Sequence, residues 1–265
     1  MRRGGECLFD KGETMNKEEK KAARRKKFLS TLVYERFEIG AILSVVGGFL
    51  DAYTFIARDG VFANAQTGNI ILLTIGLCEG RFYAALKYLV PIVLFAAGVV
   101  ISEFIISRER KNGAKLMNYV LLLSIEAAVL VAAAFIPVTK EGNMIANALI
   151  SFVASVQYAT FRKIENLPVA TSFCTGNLRS AAHYLYLGIA ERDKIKLAEG
   201  WKFTAMIAFF GGGVAAGYFV THALGNLAVL CCAALLPFVC VYLAALKANK
   251  MKKLREIAEN AANAP

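Results

Sequence analysis

The chain has 265 residues, of which 57% are hydrophobic and 19% charged, with a mean hydropathy of +0.50. Soluble domains average about a quarter charged residues, and repeated runs of roughly 20 apolar residues instead indicate an all-α, polytopic membrane protein. The net charge of +11 gathers at the two ends, as expected for positive flanks on the cytoplasmic side, and with no base-reading fold in sight nucleic acid is not an expected partner.

Residues 1–34 read as a basic cytoplasmic tail, with Arg2, Arg3, Lys17, Lys20, Lys21, Arg24, Arg25, Lys26 and Lys27. Such a tail is disordered or lies on anionic lipid headgroups. It lacks an apolar h-region, so no cleaved signal peptide is expected. Residues 35–246 form a single transmembrane domain, and 247–265 form a second basic tail.

Eight apolar segments follow the first tail, at about 37–57, 62–78, 84–106, 117–136, 144–164, 169–189, 203–222 and 226–246. The charges between them bear on how many cross. If all eight crossed, Arg108, Arg110, Lys111, Lys115, Arg162 and Lys163 would lie outside, against the positive-inside tendency. If segments 62–78 and 169–189 each enter and leave on one face, those loops lie inside and the outer loops are nearly neutral. The expectation is therefore six spanning helices plus two short re-entrant or broken segments, with both termini cytoplasmic. Eight crossings is the alternative.

The chain repeats itself. Asp51-Ala52-Tyr53-Thr54-Phe55 is echoed by Gln157-Tyr158-Ala159-Thr160-Phe161, and Thr67-Gly68-Asn69 by Thr175-Gly176-Asn177. Fixed-spacing self-similarity of this kind signals internal duplication. Repeat one covers about 37–136 and repeat two about 144–246. Three crossings per repeat would invert the second, as in transporters whose sites lie at the midplane on discontinuous helices. In the later halves, Phe95-Ala96-Ala97-Gly98 answers Phe210-Gly211-Gly212-Gly213. Gly47, Gly48, Gly213 and Gly217 suit close approach of helix backbones. Pro91 and Pro237 fall inside segments.

The polar residues at depth are the candidates for function. Asp51 sits about fourteen residues into an apolar run, where a carboxylate is costly and normally functional. Substrate-binding candidates are Asp51, Asn64, Gln66, Thr67, Gly68, Asn69, Gln157, Thr175, Gly176 and Asn177, expected to converge on one polar pocket. Asp51 and Glu126 are the proton-coupling candidates, with Glu126 outside the repeated motif. For Asp51 the alternative is an interhelical tie to Asn64, Gln66 or Asn69. Arg179 reads as an anion partner or as a positive anchor, and His183 as a packing residue. Glu103 reads as a snorkelling residue near a helix end.

No cofactor or metal site is expected. The six cysteines have no Cys-x-x-Cys spacing, and no Walker loop, Gly-x-Ser-x-Gly or His-Glu-x-x-His motif occurs, so an enzyme is not expected. The leading expectation is a proton-coupled secondary transporter of a small solute. A channel-like pore and a non-transporting scaffold or sensor are the alternatives, and a homo-oligomer is left open.

Gly47-Gly48-x-x-Asp51-Ala52, with the paired Thr-Gly-Asn motifs, resembles the YoaK family of bacterial integral membrane proteins. That resemblance implies about six transmembrane helices, a place in the bacterial plasma (inner) membrane, and no assigned substrate or reaction.

Overall fold

A computed structural model describes residues 32–112, 116–171 and 174–262. The tail lysines and arginines before Leu32, Cys7, Lys115 and the last three residues lie outside the described residues.

After a 3-10 turn at Val33–Glu35 come α1 (Phe37–Ala57), α2 (Gln66–Cys78), α3 (Phe82–Asn112), α4 (Leu116–Ala134), α5 (Lys140–Thr160), α6 (Cys174–Ala190), α7 (Lys194–Leu224), a second 3-10 turn at Gly225–Ala228, and α8 (Val229–Ala262). No extended strand forms among the described residues; the nearest is one isolated bridge, Ile164 to Leu167.

Length and composition qualify four stretches to cross a membrane: Phe37–Ala57, Phe82–Arg108, Leu116–Ala134 and Lys194–Ile257. The last spans 64 residues and holds both α7 and α8. Helix α5 falls below that threshold because Asn143, Asn147, Ser151, Ser155 and Gln157 punctuate it, and all five are buried. Its polar groups face protein, where neighbours can satisfy them. Helix α2 has 13 residues, about 20 Å of helix, which is short of the roughly 30 Å hydrocarbon core.

Helix packing pairs off under exchange of the two halves. Helix α1 packs on α7, and α5 on α3. Helix α2 lies on α3, and α6 on α7; α4 touches both α5 and α8, and α8 touches α1. The glycines set the closest of these approaches. A side chain on Gly48 would come within 2.1 Å of the Phe210 carbonyl, and one on Gly213 within 2.1 Å of the Val45 carbonyl. On the other pair, a side chain on Gly98 would lie 2.7 Å from the Phe152 carbonyl. Backbones this near exclude any Cβ. Pro91 and Pro237 sit within α3 and α8, which continue past them.

Helices α1 and α5 run antiparallel. Asn147, early in α5, donates to the carbonyl of Arg58 at the end of α1, 2.7 Å away. Gln157, late in α5, lies against Leu43 in the first half of α1. One end of the bundle thus gathers Arg58, Asp59, the close of α4 and the start of α5. The other gathers Glu35, Glu103, Arg162, Glu165 and Lys202, joined by the ion pairs Arg162–Glu103 and Lys202–Glu165 and by the Glu165 N–H to the Glu35 carbonyl. Glu103 is therefore ion-paired rather than merely snorkelling.

Candidate functional site

The chain reverses after α1 through Asp59 and Gly60, both at positive φ (68° and 70°), a conformation glycine accepts freely and aspartate tolerates. It then runs back along α1. The backbone N–H of Asn64 donates to Asp51 Oδ1 at 2.6 Å, and Asn64 Nδ2 donates to the Gly47 carbonyl at 3.1 Å. Gly47 lies ten residues before the end of α1, about 15 Å down its axis. From there α2 climbs back, and Lys87 just beyond it pairs with Asp59 at 3.2 Å. The first segment therefore enters and leaves at one end of the bundle.

Asn69 fixes this hairpin. Its Oδ1 accepts from the Phe62 N–H at 2.9 Å, and its Nδ2 donates to the Phe62 carbonyl at 2.8 Å and to Gln66 Oε1 at 2.9 Å. Gln66 Nε2 in turn donates to the Ala63 carbonyl at 2.9 Å. The Phe62 ring stacks on Phe55 and covers Gly68, where a side chain would lie 2.8 Å from it. Gly68 is glycine because Phe62 occupies its side-chain space.

The second segment repeats the device. It turns at Glu165 and Asn166, both at positive φ. Asn177 Oδ1 accepts from the Ala170 N–H at 3.2 Å, and its Nδ2 donates to the Ala170 carbonyl at 2.6 Å. Helix α6 then returns to the end that holds Glu165, packing back on α7 where Gly188 meets Leu197 and Gly200 meets Leu185. Here a cavity of about 450 Å³ opens, lined by Ala170, Gly176, Asn177, Arg179, Ser180 and His183 among others.

Asp51 is 4% exposed. Asp51 Oδ2 and Asn64 Oδ1 have no hydrogen-bond partner among the described residues, and neither does Thr171 Oγ1. The buried side-chain oxygens of Asn147, Ser151, Thr160 and Thr221 are likewise unpartnered among the described residues.

The remaining candidates do not all join this cluster. Gln157 faces Glu126 on α4. With its nitrogen toward α4 it donates to Glu126 Oε1 at 2.6 Å and to Oε2 at 3.2 Å. Glu126 is 2% exposed, so the second acid at depth belongs with a repeat-motif residue after all. Thr67 and Thr175, in the first turns of α2 and α6, are exposed. The single expected pocket is thus two buried centres, Asp51 with Asn64 and Glu126 with Gln157, plus the cavity beside Gly176.

Arg58 is the residue the sequence hides. It looks like a loop charge, yet it is 0% exposed. Its Nε donates to the Tyr53 hydroxyl at 2.9 Å, Nη1 to the Ile136 carbonyl at 2.9 Å and to Asn143 Oδ1 at 3.3 Å, and Nη2 to the Ala133 carbonyl at 2.7 Å. Carbonyls at the end of α4 carry the negative end of the helix dipole and suit a cation. The Tyr53 hydroxyl donates onward to the Asn226 carbonyl at 3.0 Å. Arg58 therefore locks four elements at one end of the bundle. The only outward signal is its place one residue beyond an apolar run and five after a tyrosine.

Among the described residues, no group of three or more His, Cys, Asp or Glu side chains is placed to hold a metal ion.

No curated protein and no solved structure matches the chain. The family described as protein of unknown function (DUF1275) matches residues 39–242, and YoaK-like families are members of it. A match over more than half of the chain, on a helical fold with apolar helices long enough to cross a membrane, makes this protein a member of the DUF1275 family.

Proposed function

We propose that the protein is a secondary transporter of a small solute, built from two inverted repeats of three crossings each, with the two hairpins entering the membrane from opposite faces. The observation that carries this reading is the antiparallel course of α1 and α5, each followed by a hairpin clamped by its own Thr-Gly-Asn asparagine. Corresponding helices that run in opposite directions are what an inverted duplication produces. Helices α1, α3, α4, α5, α7 and α8 would cross, and α2 and α6 would reach only part way. The end holding Arg162, Lys163 and Lys202 would be cytoplasmic, since it carries the excess of positive charge.

Asp51 is the proton carrier in this reading. Its carboxylate is buried beside the first hairpin and accepts from the Asn64 N–H. Asn64 is its hydrogen-bond partner. Glu126 and Gln157 form a second site for a proton or a polar group. Asn69 and Asn177 hold the hairpins, and Gln66 braces the first.

A non-transporting scaffold is the second reading. It draws on Asn69 and Asn177, whose amides are spent on their own backbones and so are not offered to a solute. A channel differs from both in one respect: it would open to the two faces together.

Single cysteines at Thr67 and Thr175, in a protein whose native cysteines are replaced, separate the three. Membrane-impermeant thiol reagents are applied from each side of proteoliposomes. A carrier gives labelling that shifts between sides with solute, and a channel gives simultaneous labelling from both. Labelling that never responds to any condition, or none at all, would favour the scaffold.

A further inference from the structure

The two hairpins differ in the space beside their glycines, and paired residues explain the difference. A side chain on Gly68 would strike the Phe62 ring, whereas one on Gly176 would meet nothing within 4 Å. The residue clamped by the asparagine is Phe62 in the first hairpin and Ala170 in the second. Replacing a ring by a methyl group opens the space beside Gly176.

The helix face over that space changes as well. Two and six residues past the asparagine, α2 has Ile71 and Ile75, while α6 has Arg179 and His183. Arg179 forms no ion pair among the described residues. It lies eleven residues before the end of α6, about 16 Å along the axis, or half of a roughly 30 Å hydrocarbon core. A guanidinium at that depth is costly unless a counter-charge or water meets it, and such residues mark binding paths. Tyr184, stacked on Phe203 with ring centroids 5.6 Å apart, forms part of the apolar wall. A cavity of this size with apolar walls and a few polar groups fits a small ligand.

We propose that this cavity binds a small oxyanion, a carboxylate or phosphate group, with Arg179 as its charge partner and Ser180 and His183 as further hydrogen-bond partners. Arginine matches both groups by paired N–H donors. The depth of Arg179 rests on the re-entrant course of α6 proposed above, and the oxyanion is the solute class for that carrier. The same chemistry is offered by a free anion and by an anionic lipid headgroup.

The test uses the full chain, purified in an uncharged detergent. Its melting temperature is followed against inorganic phosphate and against acetate, with ionic strength held constant by chloride. A bound ligand raises it in a saturable way. We expect a rise of a few degrees with at least one of the two anions. The rise should vanish in Arg179→Gln, and in Ala170→Phe, whose ring fills the space as Phe62 does in the first hairpin. Either variant serves if the other fails to fold. Phosphatidylglycerol and phosphatidylcholine vesicles supply the second arm. Stabilisation by phosphatidylglycerol alone, lost in Arg179→Gln, identifies a headgroup as the anion. Equal stabilisation of wild type and both variants, or no stabilisation by either anion or by phosphatidylglycerol, overturns the proposal. Anion-dependent stabilisation without alternating labelling at Thr175 keeps the site and removes the carrier. Alternating labelling without any anion effect removes the site alone.

Discussion

Asn69 and Asn177 hold their chains by the same pair of hydrogen bonds, each to the N–H and carbonyl of the residue seven positions earlier. The side-chain amide supplies one acceptor and one donor, so it replaces a missing stretch of secondary structure where the backbone runs irregularly. At membrane depth those backbone groups would otherwise lack partners. The tripeptide is thus first a device for building a hairpin, and only then a marker of a site.

Replacing either asparagine by alanine should therefore destabilise. Each substitution leaves a part-buried backbone N–H and carbonyl without this partner, at up to about 1–3 kcal/mol for each orphaned group. Asn69→Ala should cost more than Asn177→Ala, because Asn69 also binds Gln66. Melting temperatures in detergent, compared with wild type, check the order. Equal and negligible shifts would mean that the clamps contribute nothing.

The glycines separate by what surrounds them. Gly48→Ala and Gly213→Ala place a methyl group about 2 Å from a backbone carbonyl of the facing helix, and overpacking of this kind costs typically about 1–3 kcal/mol. A methyl group on Gly211, Gly212 or Gly176 would meet nothing within 4 Å. Alanine at these three should be neutral or slightly stabilising, as it favours helix over glycine by about 1 kcal/mol. Expression yield and melting temperature across the five variants test this division.

Asp51→Asn keeps an acceptor for the Asn64 N–H and removes the proton-carrying group. The melting temperature should hold, while solute-driven proton movement into proteoliposomes, read by an enclosed pH-sensitive dye, should disappear. Asp51→Ala orphans the Asn64 N–H and should melt lower. Unchanged proton movement in Asp51→Asn would leave Asp51 as a tie between the hairpin and α1, the alternative that its hydrogen bond to Asn64 also fits.

Much of the fold was legible in the chain, and the exceptions have physical causes. Helix α1 coincides with the expected 37–57, since an apolar run bounded by charge on both sides is unambiguous. Helix α2 starts at Gln66, later than expected, because Phe62 and Ala63 are apolar yet lie in the non-helical limb of the hairpin. Helix α5 starts at Lys140 because the Thr139 side chain accepts from the Gly142 N–H at 3.0 Å. Helix α7 starts at Lys194, capped by Asp193. Hydropathy is blind to both caps and to the polar first turns they support. The basic C-terminal stretch continues α8 to Ala262 instead of forming a separate element, as its Ala, Lys and Glu content favours. At the site, the pairing of Asp51 with Asn64 could be read from their nearness in sequence. The pairing of Gln157 with Glu126 and the burial of Arg58 could not, because both depend on which helices meet.

The central claim is that the two hairpins enter from opposite faces, and side-specific labelling of four single cysteines tests it most directly. The positions are Asp59 and Glu79, which flank the first hairpin, and Lys163 and Glu191, which flank the second. In sealed, oriented vesicles, Asp59→Cys and Glu79→Cys should react from the outer face only. Lys163→Cys and Glu191→Cys should react from the cytoplasmic face only. Asp59 and Glu79 on opposite faces, or all four positions on one face, would contradict the account.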